Sequence, residues 1–286
     1  MNAVTIRTIS ELRRAVGEAR RGDRTIGCVP TMGALHAGHG SLMGRARAEC
    51  DFVVVTLFVN PAQFNDVSDY ERYPRTLDAD LAFSDARGVD AVFAPSAEEM
   101  YPREQQAFID VGEVAEFMEG RFRPGHFRGV ATVVAKLLNI VAPDKAYFGE
   151  KDAQQIAVVR RVVTDLNLPV EIVEVATVRE PDGLALSSRN ARLSPEQRQM
   201  AVALFEALSV ARRCVEAGER DTATIKRCAA EVFLRFPALR PEYFEVADPE
   251  RFVPVNRVDG PVRLAGAAWV GQVRLIDNVL AIPGAR

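Results

Sequence analysis

Up to about residue 176 the chain alternates short apolar runs with amphipathic segments. TIGCVP (25–30), FVVVTLFVN (52–60), DAVFAP (90–95), KAYFG (145–149) and VEIVEV (170–175) predict strands. Several are near-continuous Val, Ile and Phe, the pattern of parallel strands buried on both faces. Between them lie helical patterns. In 126–142 the apolar residues Val130, Val133, Val134, Leu137, Leu138 and Val141 follow the spacing of one helix face. A helix over 39–49 is predicted to follow the first of these strands. Strand–helix alternation of this kind predicts an α/β domain with a doubly wound, Rossmann-like and mostly parallel sheet.

The pattern changes after Val178. Ser194-Pro195-Glu196-Gln197 reads as a helix start, with Ser as N-cap, Pro at N1 and Gln at N3 closing a capping box. Helical patterns follow over roughly 195–217 and 221–236, then three strand-like runs, YFEVAD, VRLAGAAWV and VRLIDNVLAI. Helices followed by successive strands predict a second, smaller α+β domain with an antiparallel sheet. The division is placed at 1–177 and 178–286.

Composition narrows the function classes. Of 286 residues, 48% are hydrophobic, ample for a core. Lys and Arg (36) nearly balance Asp and Glu (39), and the net charge of -3 gives no electrostatic footprint for nucleic acid or an anionic membrane. The basic cluster Arg121, Arg123, Arg128 reads as a solvated face. The most apolar run, FVVVTLFV, spans eight residues, against the roughly 20 of a membrane helix. The N-terminal stretch has no apolar run of signal-peptide length. Cys28, Cys50, Cys214 and Cys228 show no CxxC spacing and are expected to be reduced thiols of a cytoplasmic protein, not zinc ligands.

The candidate chemistry concentrates at residues 30–39, PTMGALHAGH, where two of the three histidines sit among glycines. A zinc helix would need HExxH, and the glutamate is absent. A dinucleotide loop would need GxGxxG, which Gly38-His-Gly40-Ser-Leu-Met-Gly44 misses by one residue, and no acidic residue closes the next strand. A P-loop needs a Gly-Lys pair, and none occurs. A fourth reading fits better. Gly33 and Gly38 let the backbone approach a ligand, the helix start offers N–H groups to phosphate, and two imidazoles can balance charge at a transferred phosphorus. A glycine-bent loop with incidental histidines is the bland alternative for this stretch alone.

HAGH resembles the HxGH signature of the nucleotidyltransferase superfamily. The fuller string VPTMGALHAGH, with FVNPAQF (58–64), YPRT (73–76), RPGHFRGV (123–130), FGEKDAQQ (148–155) and LALSSRN (184–190), resembles the pantothenate synthetases in order and spacing. The resemblance implies that pantoate attacks the α-phosphorus of ATP to give pantoyl adenylate and pyrophosphate, after which β-alanine displaces AMP. It also implies that Met32, Gly33, Ala34, Leu35, His36, Ala37, Gly38 and His39 line the ATP site, with Gly149, Glu150, Lys151, Asp152, Val178, Leu186, Ser187, Ser188 and Arg189. His36, His39 and Lys151 are then the catalytic candidates, with His39 at the family's proton donor. Lys151 supplies a compact charge to a phosphate oxygen. Asp152 accepts from ribose hydroxyls. Ser187, Ser188 and Arg189 form a phosphate-binding set that the second domain closes over ATP.

Gln63 and Gln155 are expected to hold pantoate, because a neutral amide can orient a carboxylate without quenching its nucleophilicity. Magnesium is expected on the phosphates. Asp78 and Asp80 lie where the family offers carboxylates, but position 79 is Ala, so the metal-facing residue is unassigned. Arg123 and His126 match a motif without an assigned contact. A homodimer is implied by the resemblance alone. Two alternatives keep distinct signatures: a nucleotidyltransferase acting on another small acid or phosphate, which would retain the nucleotide on its product, and a nucleotide-binding protein without turnover.

One departure stands out. Gly40 directly follows HAGH, where relatives typically carry leucine, and Gly44 lies one turn further on. Either another backbone packs on that face or the helix start is softened; softening is the expectation.

Overall fold

The computed structural model describes residues 3–65 and 70–284. Contacts divide the chain into two units. The first comprises Met1–Val111, Arg123–Glu150 and Val158–Ala176, and the second Gly112–Phe122, Lys151–Ala157 and Thr177–Arg286. The main cut lies one residue from the expected 177/178. A single cut is nevertheless insufficient, because two segments from within 1–177 belong with the second unit. Their side-chain tethers, described below, are the physical reason.

In the first unit, β1 (Val4–Ile6), β2 (Ile26–Thr31), β3 (Phe52–Leu57), β4 (Ala91–Phe93), β5 (Lys145–Gly149) and β6 (Glu171–Val175) form one sheet in the order β1-β4-β3-β2-β5-β6. Every pairing is parallel. Val53, Val54 and Val55 of β3 have no exposed surface, as their unbroken apolar run predicts. Strand β1 is not among the predicted strands: it is as short as β4 but mostly exposed, so no buried apolar run marks it. Helix α1 (Ile9–Arg21) starts with a Thr8–Glu11 capping box, and α2 (Ala37–Glu49) follows β2. Helices α3 (Leu77–Asp85) and α4 (His126–Val141) come next. The six apolar positions predicted for α4 are all buried.

Strand β2 has β3 on one side and β5 on the other. The chain therefore reverses its winding direction at β2, and the carboxyl ends there form the usual ligand crevice of an open α/β sheet. PTMGALHAGH leaves the sheet at this point.

Helix α2 also resolves the glycine question in part. A methyl group at Gly44 would meet nothing within 4 Å, whereas one at Gly40 would lie 2.6 Å from Arg87 Nε. Gly40 thus has a side chain packed on it, and Gly44 is an interior helix glycine with no packing reason. Gly44→Ala should stabilise the helix by about 1 kcal/mol and raise the thermal midpoint by a few degrees without changing ATP use. A lower midpoint in a thermal melt would contradict this.

In the second unit, α6 (Pro195–Glu216) and α7 (Thr222–Leu234) precede an antiparallel sheet of β7 (Leu239–Ala247), β8 (Val262–Val270) and β9 (Val273–Ala281). Helix α5 (Ala153–Asp165) starts in this unit and ends in the first. The capping box at α6 forms as predicted: Gln197 N–H donates to Ser194 Oγ at 3.2 Å, and Ser194 N–H donates to Gln197 Oε1 at 3.0 Å. Leu204, Leu208, Ile225, Val232, Leu264 and Leu275 share one core. Pro241 lies on edge strand β7 beside a bulge, where a missing N–H is tolerated. Among the described residues, no helix is long and apolar enough to cross a membrane.

Candidate active site

The loop after β2 is built around a left-handed turn. Gly33 and Ala34 have φ of 83° and 50°. Such a conformation is disfavoured for a residue with a Cβ, and here a buried carboxylate holds it. Asp80 of α3, 4% exposed, accepts from Ala34 N–H at 3.0 Å and Leu35 N–H at 2.8 Å. Thr76 Oγ1 also donates to Asp80 Oδ2, at 3.2 Å. Gly33 is needed for space as well, since a Cβ there would lie 3.0 Å from the same carboxylate. Two backbone donors of the loop are thereby committed to Asp80.

The histidines cap α2. His36 is the N-cap in extended conformation, and its Nδ1 accepts from Gly38 N–H at 3.1 Å. His39, at N3, returns the bond: His36 N–H donates to His39 Nδ1 at 3.2 Å. The two rings lie 4.2 Å apart, centroid to centroid. An imidazole nitrogen that accepts from a backbone N–H carries no proton, so each neutral ring holds its proton on Nε2. This corrects one expectation: the helix begins at Ala37, not at 39, because an extended His36 lets Gly38 enter the first turn. The backbone N–H groups of His36 and Gly38 are satisfied by the imidazoles.

Beside this loop, Gln63 ends a short helical turn, Pro61–Gln63, and is buried. Its Nε2 donates to Met32 Sδ at 2.8 Å, and Asn60 Nδ2 donates to its Oε1 at 3.3 Å. Asn60 is fixed in turn by Tyr101, whose hydroxyl donates to Asn60 Oδ1 at 2.8 Å. The turn sits on α4 at Gly129, where a Cβ would come within 2.3 Å of Ala62 O. His126 Nδ1 meets Gln63 O at 2.8 Å. A carbonyl only accepts, so this ring carries its proton on Nδ1, and its Nε2 faces Arg123 NH1 at 3.1 Å. The motif RPGHFRGV thus supports the Gln63 turn, a role its spacing did not reveal.

Gly149 and Glu150 close the β5 segment of the first unit, and the second unit carries Lys151, Asp152, Gln155, Val178, Leu186, Ser187, Ser188 and Arg189. Lys151 and Asp152 lie in a helical turn, Glu150–Asp152, directly after β5 and Gly149. Lys151 Nζ is 3.7 Å from Asp152 Oδ1, with the lysine side chain 19% exposed and the aspartate 48%. Of the two adjacent glutamines, Gln154 is locked: it accepts from Glu119 N–H at 3.1 Å and donates to Val114 O and Phe117 O at 3.0 and 2.9 Å. Gln155 is only half-buried. Glu119 is itself held by Arg274 NH1 and NH2, at 2.8 and 2.7 Å, and by the Tyr243 hydroxyl at 2.9 Å. These bonds assign Gly112–Phe122 and Lys151–Ala157 to the second unit. A hairpin over 178–186 then leads to Ser187, with Leu186 N–H donating to Val178 O at 3.0 Å. Ser187 Oγ accepts from Arg189 N–H at 3.2 Å, which leaves its own O–H proton to donate.

Neither aspartate offered for magnesium stands in a metal cage. Asp80 is occupied by the loop, and Asp78 is exposed in the first turn of α3. Among the described residues, no three His, Cys, Asp or Glu side chains cluster so as to hold a metal ion. All four cysteines are free, and burial pushes the Cys28 thiol up to about 12, which keeps it an unreactive thiol.

Residues 4–280 match the model of the family described as pantoate-beta-alanine ligase. The chain belongs to the pantoate–β-alanine ligase family. It is 51% identical over 275 residues to the pantothenate synthetase of Thermotoga neapolitana, covering 96% of this chain and 98% of the relative. The pantothenate synthetase of Acidobacterium capsulatum is 51% identical over 284 residues, covering 96% and 95%. The crystal structure of the Thermus thermophilus enzyme superposes with a TM-score of 0.91 at 47% identity, covering 96% of this chain and 98% of that one. The Francisella tularensis ligase, complexed with beta-gamma ATP and beta-alanine, gives 0.81 at 34% identity over 97% of both chains. The α/β sheet with a smaller antiparallel sheet is therefore this family's fold. Asn60, Asp80, Tyr101, His126 and Gly129 were not assigned contacts from sequence. For Asn60, Asp80, His126 and Gly129 the signal was a place in or just after the motifs FVNPAQF, YPRT and RPGHFRGV; Tyr101 lies in none of them.

Proposed function

We propose that this ligase condenses pantoate with β-alanine at the expense of ATP through a pantoyl-adenylate intermediate, releasing AMP and pyrophosphate. One observation carries the reading. The HAGH histidines leave the sheet at its switch point and cap α2 through Nδ1, so the hydrogen of each neutral ring is on Nε2. An N–H held in one tautomer is a preorganised donor for charge developing on the phosphates.

In the first step a pantoate carboxylate oxygen attacks the α-phosphorus, and the bond to the bridging oxygen of pyrophosphate breaks. His36 and His39 donate hydrogen bonds from Nε2 to phosphate oxygens, and the bond from His39 stabilises the charge that develops on the leaving pyrophosphate without transfer of the proton. Lys151 stabilises the same charge as a point cation, while Ser187, Ser188 and Arg189 bind the phosphates as donors. Met32–His39, Gly149, Glu150, Val178 and Leu186 line the nucleotide, and Asp152 accepts from ribose. In the second step the β-alanine amine attacks the acyl carbon and AMP departs. Magnesium would travel with ATP, held by phosphate oxygens and water as suits a cation that dehydrates reluctantly; no protein residue is assigned to it.

Product analysis tests the reaction. AMP and pyrophosphate should appear in step with pantothenate, whereas ADP and phosphate would establish an acyl-phosphate route instead. A product that keeps the nucleotide would favour the nucleotidyltransferase alternative.

Gln63 and Gln155 hold pantoate in this reading. Gln63 is already oriented by Met32 and Asn60, so its truncation should act on the small acid. Gln63→Ala and Gln155→Ala should each raise the KM for pantoate much more than that for ATP; equal losses in steady-state assays would mean the pantoate pocket is elsewhere. We also place the enzyme in the cytoplasm, consistent with its free thiols, and as a homodimer, which sedimentation equilibrium would check.

A further inference from the structure

The strand-like run VRLIDNVLAI has no part in the reaction as described, yet β9 brings two buried polar residues, Asp277 and Asn278, to the segments that carry phosphate-facing groups. They are 5% and 6% exposed. Asn278 Nδ2 donates to the backbone carbonyl of Lys151 at 2.9 Å. Its Oδ1 accepts from Arg263 NH1 at 3.0 Å. A guanidinium only donates, so Arg263 fixes which end of the amide is oxygen and aims the NH2 at Lys151. Asp277 accepts from Arg179 through both oxygens, at 2.6 and 2.9 Å, and from Asn278 N–H at 2.8 Å. Arg179 lies in the hairpin that leads to Ser187, donates to Gly183 O at 3.1 Å and lies over the Phe205 ring at 4.1 Å.

We propose that Asp277 and Asn278 are positioning residues for adenylation: Asn278 sets the Lys151 turn, and Asp277, through Arg179, sets the hairpin carrying Ser187, Ser188 and Arg189. The inference rests on the phosphate roles given to those residues above. A lysine side chain is a flexible stem with a point charge, so its placement depends on the peptide from which it springs. The bond to the Lys151 carbonyl fixes the peptide plane that follows Lys151 and hence the direction in which its side chain leaves the backbone. The bidentate Arg179–Asp277 pair has one geometry. Both Asp277 and Asn278 stand on a strand paired along its whole length with β8, a rigid base of the kind that precise sites need. Burial pushes the Asp277 carboxyl up and the Arg179 charge opposes this.

A double-mutant cycle in the full-length enzyme separates positioning from mere stability. The readout is the single-turnover rate of pantoyl-adenylate formation from ATP and pantoate, per folded molecule. Asn278→Ala should lower it by about tenfold or more, the usual effect of removing a supporting partner. In a Lys151→Ala background the same change should have almost no further effect, because there is no ammonium left to position. Asn278→Asp keeps the volume and the acceptor for Arg263 but turns an oxygen toward the Lys151 carbonyl; it should show the same loss and the same non-additivity, and serves if the alanine variant folds poorly. An equal loss in both backgrounds would show a general structural role and overturn the proposal, as would a full rate in either folded variant. If the wild-type enzyme forms no adenylate, or Lys151→Ala retains full rate, the functional reading itself falls, a result distinct from additivity.

Discussion

Lys151→Ala and His39→Ala should each slow adenylate formation by about a hundredfold or more, the loss that follows removal of one preorganised donor at developing charge. The geometry gives the two variants different secondary effects. Lys151 contributes its ammonium, while its backbone carbonyl stays bonded to Asn278; truncation should leave the fold and the thermal midpoint nearly unchanged. His39 has two parts to lose: the Nε2–H that the proposed reaction aims at phosphate, and the Nδ1 that accepts from His36 N–H. His39→Ala should therefore also cost helix stability, on the order of the 1 kcal/mol of a lost cap. His39→Gln separates the parts, because glutamine at N3 can close a capping box but supplies no imidazole proton. Its thermal midpoint should recover and its adenylation rate should remain low. Chemically supplied pantoyl adenylate should still react with β-alanine in all three variants, since the second step needs no stabilisation of pyrophosphate. Near-normal adenylation in Lys151→Ala and His39→Ala would refute both assignments.

Much of this architecture was readable from pattern because the relevant forces are local. Strands β2, β3, β5 and β6 are apolar runs, and the Ser194–Gln197 box follows from four consecutive residues. The HAGH loop pointed to nucleotide chemistry through its resemblance to the HxGH signature. What escaped was set by particular side-chain contacts, some local and some distant along the chain. Gly38 suggested a turn between the histidines, but the N-cap conformation of His36 admits it to the helix. Lys151 and Gln154 look in sequence like the end of a β5 segment, yet Asn278 and Glu119, distant along the chain, bind them to the second unit. No periodicity encodes such bonds. The two glutamines of DAQQ are likewise equivalent in sequence, and only burial separates a structural Gln154 from an accessible Gln155.

Asp80 is the sharpest case of a residue whose sequence context and structure disagree. Its position after YPRT suggested a metal carboxylate, whereas its oxygens hold the left-handed turn at Ala34 and Leu35. Removing them strands two loop N–H groups and relaxes a backbone conformation that alanine avoids. An unsatisfied buried donor costs about 1–3 kcal/mol. Water reaches these half-buried positions, so Asp80→Ala should lose roughly 2–4 kcal/mol in all. The effect on activity should be larger in proportion. The same turn delivers His36 and His39 to α2, and a displacement of about 1 Å at such groups can cost a hundredfold in rate. Asp80→Asn should not rescue, since its NH2 would face a backbone donor, although its volume is kept. The metal reading makes the opposite forecast. A carboxylate that bound magnesium would, on removal, raise the magnesium concentration needed for half-maximal rate and leave the thermal midpoint in place. Here the midpoint should fall and the rate should fall at every magnesium concentration, because what is lost is the shape of the loop that holds the histidines.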